Sequence, residues 1–150
     1  MIEMKKVFFV AICILLCSCY RGNHIDKIVV SHVEKEGVGC YIDMAEELDF
    51  QWDSLFYFSI GCSLEEIQET VGYPLIVDKD LSYLMIFFFE GRMVKLFRWD
   101  YFQSDFGVII DTPELIYKTS FHKAKFKVRK GNQCFILEPV NDTINERKLL

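Results

Sequence analysis

Tyr83-Leu84-Met85-Ile86-Phe87-Phe88-Phe89-Glu90-Gly91-Arg92-Met93-Val94-Lys95-Leu96-Phe97-Arg98-Trp99 decides the fold. Seven apolar residues without alternation fit a strand covered on both faces. Glu90-Gly91 then supplies a tight turn, and Arg92 to Trp99 returns as a second strand. Immediately upstream, Ser63-Leu64-Glu65-Glu66 has the form of a capping box: the Ser63 hydroxyl takes the Glu66 N–H while that carboxylate reaches back to the Ser63 N–H. Leu64, Ile67 and Val71 share one helical face, Gly72 supplies a left-handed stop, and Pro74 prevents continuation. This predicts a helix of about nine residues packed on the hairpin.

From Phe50 the period is two, which predicts a half-buried strand with Phe50, Trp52, Phe56, Phe58 and Ile60 on one side and Gln51, Asp53, Tyr57 and Ser59 on the other. Asp43 to Leu48 is helix-compatible. Near the end, Ala124, Phe126 and Val128 alternate with Lys123, Lys125, Lys127 and Arg129, Gly131-Asn132 turns the chain, and Gln133 to Val140 runs back. Asp111-Thr112-Pro113 marks a less regular stretch between the hairpins. Strands joined by tight turns predict an α+β fold, a small antiparallel sheet of about five strands with one short capped helix on it. That domain is expected over residues 41–140, followed by a flexible tail at 141–150.

The N-terminus reads differently. Met4-Lys5-Lys6, an apolar run from Val7 to Leu16, and Leu16-Cys17-Ser18-Cys19 resemble a bacterial lipoprotein signal peptide, and a ten-residue apolar run is too short for a bilayer that needs about 20 residues. Only Cys19 has a small residue, Ser18, before it, so Cys19 is the expected lipidation site and residues 1–18 the signal. Residues 19–40, polar and interrupted by Gly22, Gly37 and Gly39, are expected to be lipidated Cys and, for the most part, tether, with one amphipathic turn or strand over Ile25 to Val33. The resemblance implies attachment to the membrane through acyl chains on Cys19. Tyr20, where inner-membrane retention favours Asp, points to the outer membrane facing the periplasm.

Loss of residues 1–18 leaves fifteen basic against twenty-one acidic residues, a net charge of −6, which argues against nucleic acid as a partner. The charge is unevenly spread: Glu34 to Asp80 holds twelve acidic residues against Lys35 and Lys79, while Leu81 to Gly131 holds nine basic against five acidic. Four cations on one strand face, Lys123, Lys125, Lys127 and Arg129, are the candidate binding surface for anionic lipid or an acidic protein. Two plainer roles compete, guarding an edge strand against aggregation and pairing with the acidic first half.

Motifs of catalysis are missing from the sequence: it has no G-x-S-x-G, H-E-x-x-H, phosphate-cradling loop or Cys-x-x-Cys. No catalytic residue, metal ligand or cofactor is therefore assigned. Cys40, Cys62 and Cys134 permit at most one bridge among themselves, or three buried thiols. With His24 and His32 assigned to the tether, His122 is the domain's one histidine, and a Cys134/His122 dyad is the only nucleophilic pairing to consider. Trp52-Asp53 reads as a core tryptophan beside a hydrogen-bonding aspartate, and Asp142-Thr143-Ile144 matches a short glycosylation pattern.

Phe50-x-Trp52-Asp53, Phe56-Tyr57-Phe58, Ser63-Leu64-Glu65-Glu66-Ile67 and Gly72 together resemble a group of small uncharacterised bacterial lipoproteins, over roughly residues 43 to 130. The helix, Gly72-x-Pro74 and hairpin also resemble outer-membrane assembly lipoproteins of the SmpA/BamE type and the β-lactamase-inhibitor-protein fold, over about residues 60 to 100. Neither resemblance implies an active site. The expected function is a lipid-anchored, non-enzymatic binding or assembly module with a protein partner in the envelope. An inhibitor or immunity-type protein stands second, an enzyme third.

Overall fold

The computed structural model describes residues 22–72, 74–77, 81–101 and 107–140. Cys19 and the Asp142-Thr143-Ile144 pattern lie outside them. Among the described residues the fold is α+β, but with two four-stranded sheets where one of about five strands was expected. In chain order the elements are α1 (His24–Glu36), β1 (Tyr41–Asp43), α2 (Met44–Glu47), β2 (Ser54–Phe58), α3 (Leu64–Val71), β3 (Ser82–Phe89), β4 (Arg92–Asp100), β5 (Val108–Ile110), β6 (Ile116–Ser120), a 3-10 turn (Phe121–Lys123), β7 (Lys125–Lys130) and β8 (Phe135–Pro139). One sheet has the order β4-β3-β2-β6, the other β1-β7-β8-β5. The pairings are antiparallel except β5 with β8, which is parallel, so the expected all-antiparallel sheet is also corrected.

The unbroken apolar run of β3 follows from its place between two cores. Met85 and Phe87 face one, shared with Leu55, Tyr57, Phe97 and Trp99 of the same sheet and with Ile42, Phe126, Val128 and Leu137 of the other sheet. Leu84, Ile86 and Phe88 face a second core with Phe56, Phe58 and Ile67, where α3 covers the outer side. Alternation therefore buries every position from Leu84 to Phe88. Glu90 (φ 50°) and Gly91 (φ 76°) both have positive φ, the condition of a type I′ turn, and Val94 is the extra residue of a bulge opposite Phe87 and Phe88.

The helix read from Ser63 to Gly72 is present. Both arms of its capping box form, Ser63 N–H to Glu66 Oε2 at 2.7 Å and Glu66 N–H to Ser63 Oγ at 3.2 Å. Gly72 closes it at φ 63° in the left-handed region.

The tether assignment of residues 19–40 is corrected by α1. Asn23 and Asp26 form a second capping box, and Gly37 (φ 87°) ends the helix. Ile25 and Val29 are fully buried in the core shared by both sheets, with Ile28 beside them, so these residues belong to the domain. Spacing i, i+3, i+4 puts the three on one face. The run Ile28-Val29-Val30, unfavourable for a helix on propensity alone, is held by that burial.

The strand expected from Phe50 is confined to Ser54–Phe58. Trp52 precedes it, so its parity does not carry through, and it shares a core with Leu55 and Tyr57, opposite Phe56 and Phe58. Tyr57, expected on the polar side, is buried because the second sheet covers that face.

Candidate functional site

Ala124, Phe126 and Val128 point into the core, leaving Lys125, Lys127 and Arg129 exposed on the outer face of the β1-β7-β8-β5 sheet, with Lys123 exposed on the 3-10 turn before it. The four cations of the sequence stripe are thus brought together. Their neighbours are acidic. Asp43, opposite Lys125 on β1, has Oδ2 3.8 Å from its Nζ; Arg129 Nε donates to Glu138 Oε1 at 2.5 Å and Nη2 to Asp111 Oδ2 at 3.1 Å. Those carboxylates hold the Arg129 guanidinium above its ordinary pKa. Lys123 and Lys127 make no ion pair among the described residues. The edge-guard role is excluded, because β7 lies between β1 and β8. Among the described residues, pairing with the acidic first half is realised only at Asp43, since Glu138 and Asp111 come from the later chain.

Beside Arg129 the face opens into a cleft of about 330 Å³, between Tyr57 and Tyr83 of one sheet, Ile109 and Ile136 of the other, and the 111–115 loop. The two tyrosine rings stack with centroids 6.2 Å apart. Burial pushes both hydroxyls up, Tyr57 the more, so they act there as neutral hydrogen-bonding groups. A smaller adjoining cleft of about 130 Å³ runs past Trp99, Tyr101 and Cys134.

The other polar clusters hold the fold together. Asp53 Oδ2 accepts the Glu90 N–H at 2.8 Å and Oδ1 the Ser54 hydroxyl at 2.7 Å, which keeps this carboxylate below the usual range. Trp52 beside it is a core residue, edge-on to Phe87 and Phe121 at 5.0 Å each, as the sequence reading has it; its Nε1 has no hydrogen-bond partner among the described residues. His32, assigned to the tether from sequence, belongs to the domain: its Nε2 meets Glu47 Oε1 at 2.6 Å and joins α1 to α2, with Glu36 Oε1 3.9 Å from Nδ1. Asn23-x-x-Asp26 followed by Ile25, Ile28 and Val29 was the signal that could have placed it there.

The Cys134/His122 pairing fails on geometry. His122 precedes β7 and Cys134 follows it, so the six-residue strand, roughly 20 Å long, separates them. Burial also raises the Cys134 thiol, opposite to what a nucleophile requires. Among the described residues no disulfide joins Cys40, Cys62 and Cys134; Cys40 and Cys62 are buried, Cys62 donating to Leu115 O at 3.2 Å, and Cys134 is half-buried. Within the same residues no group of three His, Cys, Asp or Glu is placed to hold a metal ion, and no helix is long and apolar enough to cross a membrane.

No protein-family model, curated protein or solved structure matches the chain.

Proposed function

We propose that this chain is a lipid-anchored envelope protein whose folded part binds a protein partner and carries out no catalysis. The observation that carries this reading is Leu16-Cys17-Ser18-Cys19 standing four residues before Asn23, the cap of a helix docked in the core. A lipid on Cys19 would hold the domain close to the bilayer, an arrangement suited to assembly at the envelope. The polar groups that chemistry would use are committed to structure: Asp26 to Trp99, Asp53 to the Glu90 turn, and His32 to Glu47. Surface remaining for a partner is the outer sheet face with Lys123 and Lys127, together with the adjoining tyrosine cleft.

Fatty-acid labelling of the wild-type chain and of Cys19→Ser tests the anchor. The wild type should label and sediment with membranes, and the variant should do neither. Label retained by Cys19→Ser would remove the assignment.

A further inference from the structure

We infer that β4, the open edge of its sheet, takes an extended acidic segment of a partner protein as a fifth strand. The order β4-β3-β2-β6 leaves β4 paired on one side only, and at nine residues it is the longest edge among the described strands, where β1 and β5 have three and β6 five. The ladder with β3 decides which of its backbone groups are open. Tyr101 N–H donates to Leu81 O at 2.9 Å, so by antiparallel alternation Trp99, Phe97 and Lys95 exchange their bonds with β3. Leu96, Arg98 and Asp100 then turn N–H and C=O outward, and among the described residues no other backbone group bonds to them there.

Half of this edge is guarded and half is not. Val94 bulges opposite Phe87 and Phe88, and Arg92 and Lys95 are exposed beside it, devices that stop a second copy of the strand from pairing along the full length. From Leu96 to Asp100 the guard is missing, because Arg98 Nε lies 2.6 Å from Asp100 Oδ1 and the two charges close on each other. A short seat remains, with cations at its mouth. Arg92 and Lys95 make no ion pair among the described residues, so acidic side chains on an incoming strand find free partners there. Arg92 stands opposite Phe89 and Lys95 opposite Phe87, while Leu96, opposite Ile86, lies on the other face. A segment alternating acidic and aliphatic residues therefore meets the cations with one set of side chains and Leu96 with the other, the main chain supplying the hydrogen bonds. The seat belongs to the other sheet from Lys127, so it stands or falls apart from the surface named above.

The test follows amide hydrogen exchange by NMR in the isotope-labelled full chain, alone and with a synthetic peptide alternating Val and Glu or its counterpart with Lys in place of Glu. Without peptide, the amides of Leu96 and Arg98 should exchange freely while those of Lys95, Phe97 and Trp99 are protected. The acidic peptide should slow Leu96 and Arg98 severalfold and the cationic one should not; Arg92→Glu combined with Lys95→Glu should reverse that preference. Slow exchange at Leu96 and Arg98 in the dilute free chain would mean that the edge is already covered, and protection that grows with protein concentration alone would mean a second copy. Either result, equal protection by both peptides, or no response to either, would overturn the inference and leave the Cys19 anchor untouched.

Discussion

Trp99 of β4 donates its indole N–H to the Asp26 carboxylate of α1 at 2.8 Å, with Asp26 only 4% exposed. The other Asp26 oxygen accepts the Asn23 N–H at 3.0 Å, so one buried carboxylate caps the helix and docks it on the sheet. Burial outweighs these hydrogen bonds and raises the Asp26 pKa above its ordinary 3.8. Folded protein thus keeps a proton that unfolded chain has lost, and the contribution is fully present below pH 3.8 and declines as pH rises through the folded value. Asp26→Asn should flatten that decline in urea midpoints measured across pH. Trp99→Phe should cost about 1–3 kcal/mol by stranding the carboxylate. Unchanged midpoints in both variants would mean that α1 is not docked this way.

Asp53 has the opposite sign. Its carboxylate is stabilised by the Glu90 N–H and the Ser54 hydroxyl, so its contribution is present above pH 3.8 and lost as pH falls through the depressed folded value. Asp53→Ala should lower stability at pH 7 by about 0.5–1.5 kcal/mol and reduce the loss on acidification. Glu90→Asn should raise the midpoint, by roughly 1 kcal/mol, because Asn tolerates the positive φ that Glu90 endures. A lower midpoint for Glu90→Asn would contradict the turn assignment.

At α3, Ser63→Ala should cost roughly 0.5–2 kcal/mol by leaving a first-turn N–H unpaired. Gly72→Val should cost about 1–2 kcal/mol through φ strain alone, since a Cβ there meets nothing within 4 Å. Gly72→Asn should then be nearly neutral. Equal losses for Val and Asn in thermal denaturation would point to crowding instead.

The outer sheet face divides into paired and unpaired cations. Reversing Arg129 to Glu places a like charge between Glu138 and Asp111 and should lower the urea midpoint, by less as salt is raised. Reversal of Lys123 and Lys127 together should change stability by no more than about 0.5 kcal/mol while weakening partner or anionic-vesicle binding in a salt-dependent way. Binding left intact by that double reversal would remove the stripe from the account.

Local signals were legible where they were self-contained. The Ser63 box, the Gly72 stop, the Glu90-Gly91 turn and the β7-β8 hairpin each depend on residues close in sequence, and each is found. The second sheet was hidden because β5 has only three residues and joins β8 by a parallel pairing, which no tight turn announces. β6 was hidden likewise, since it pairs with β2 from across the chain. Helix α1 was concealed by Ile28-Val29-Val30 and by the flanking glycines, although its Asn23-x-x-Asp26 box was readable. Of the candidate surface, alternation gave the exposed cations Lys125, Lys127 and Arg129 of β7; their acidic neighbours Asp111 and Glu138 depend on tertiary pairing and could not be read from spacing.

Intact-mass spectrometry of the mature protein from membranes bears most directly on the central claim, an anchor at Cys19 feeding straight into α1. The account predicts a chain beginning at Cys19 that carries the mass of its acyl groups. A mature chain retaining residues 1–18, or one with an unmodified Cys19, would contradict it.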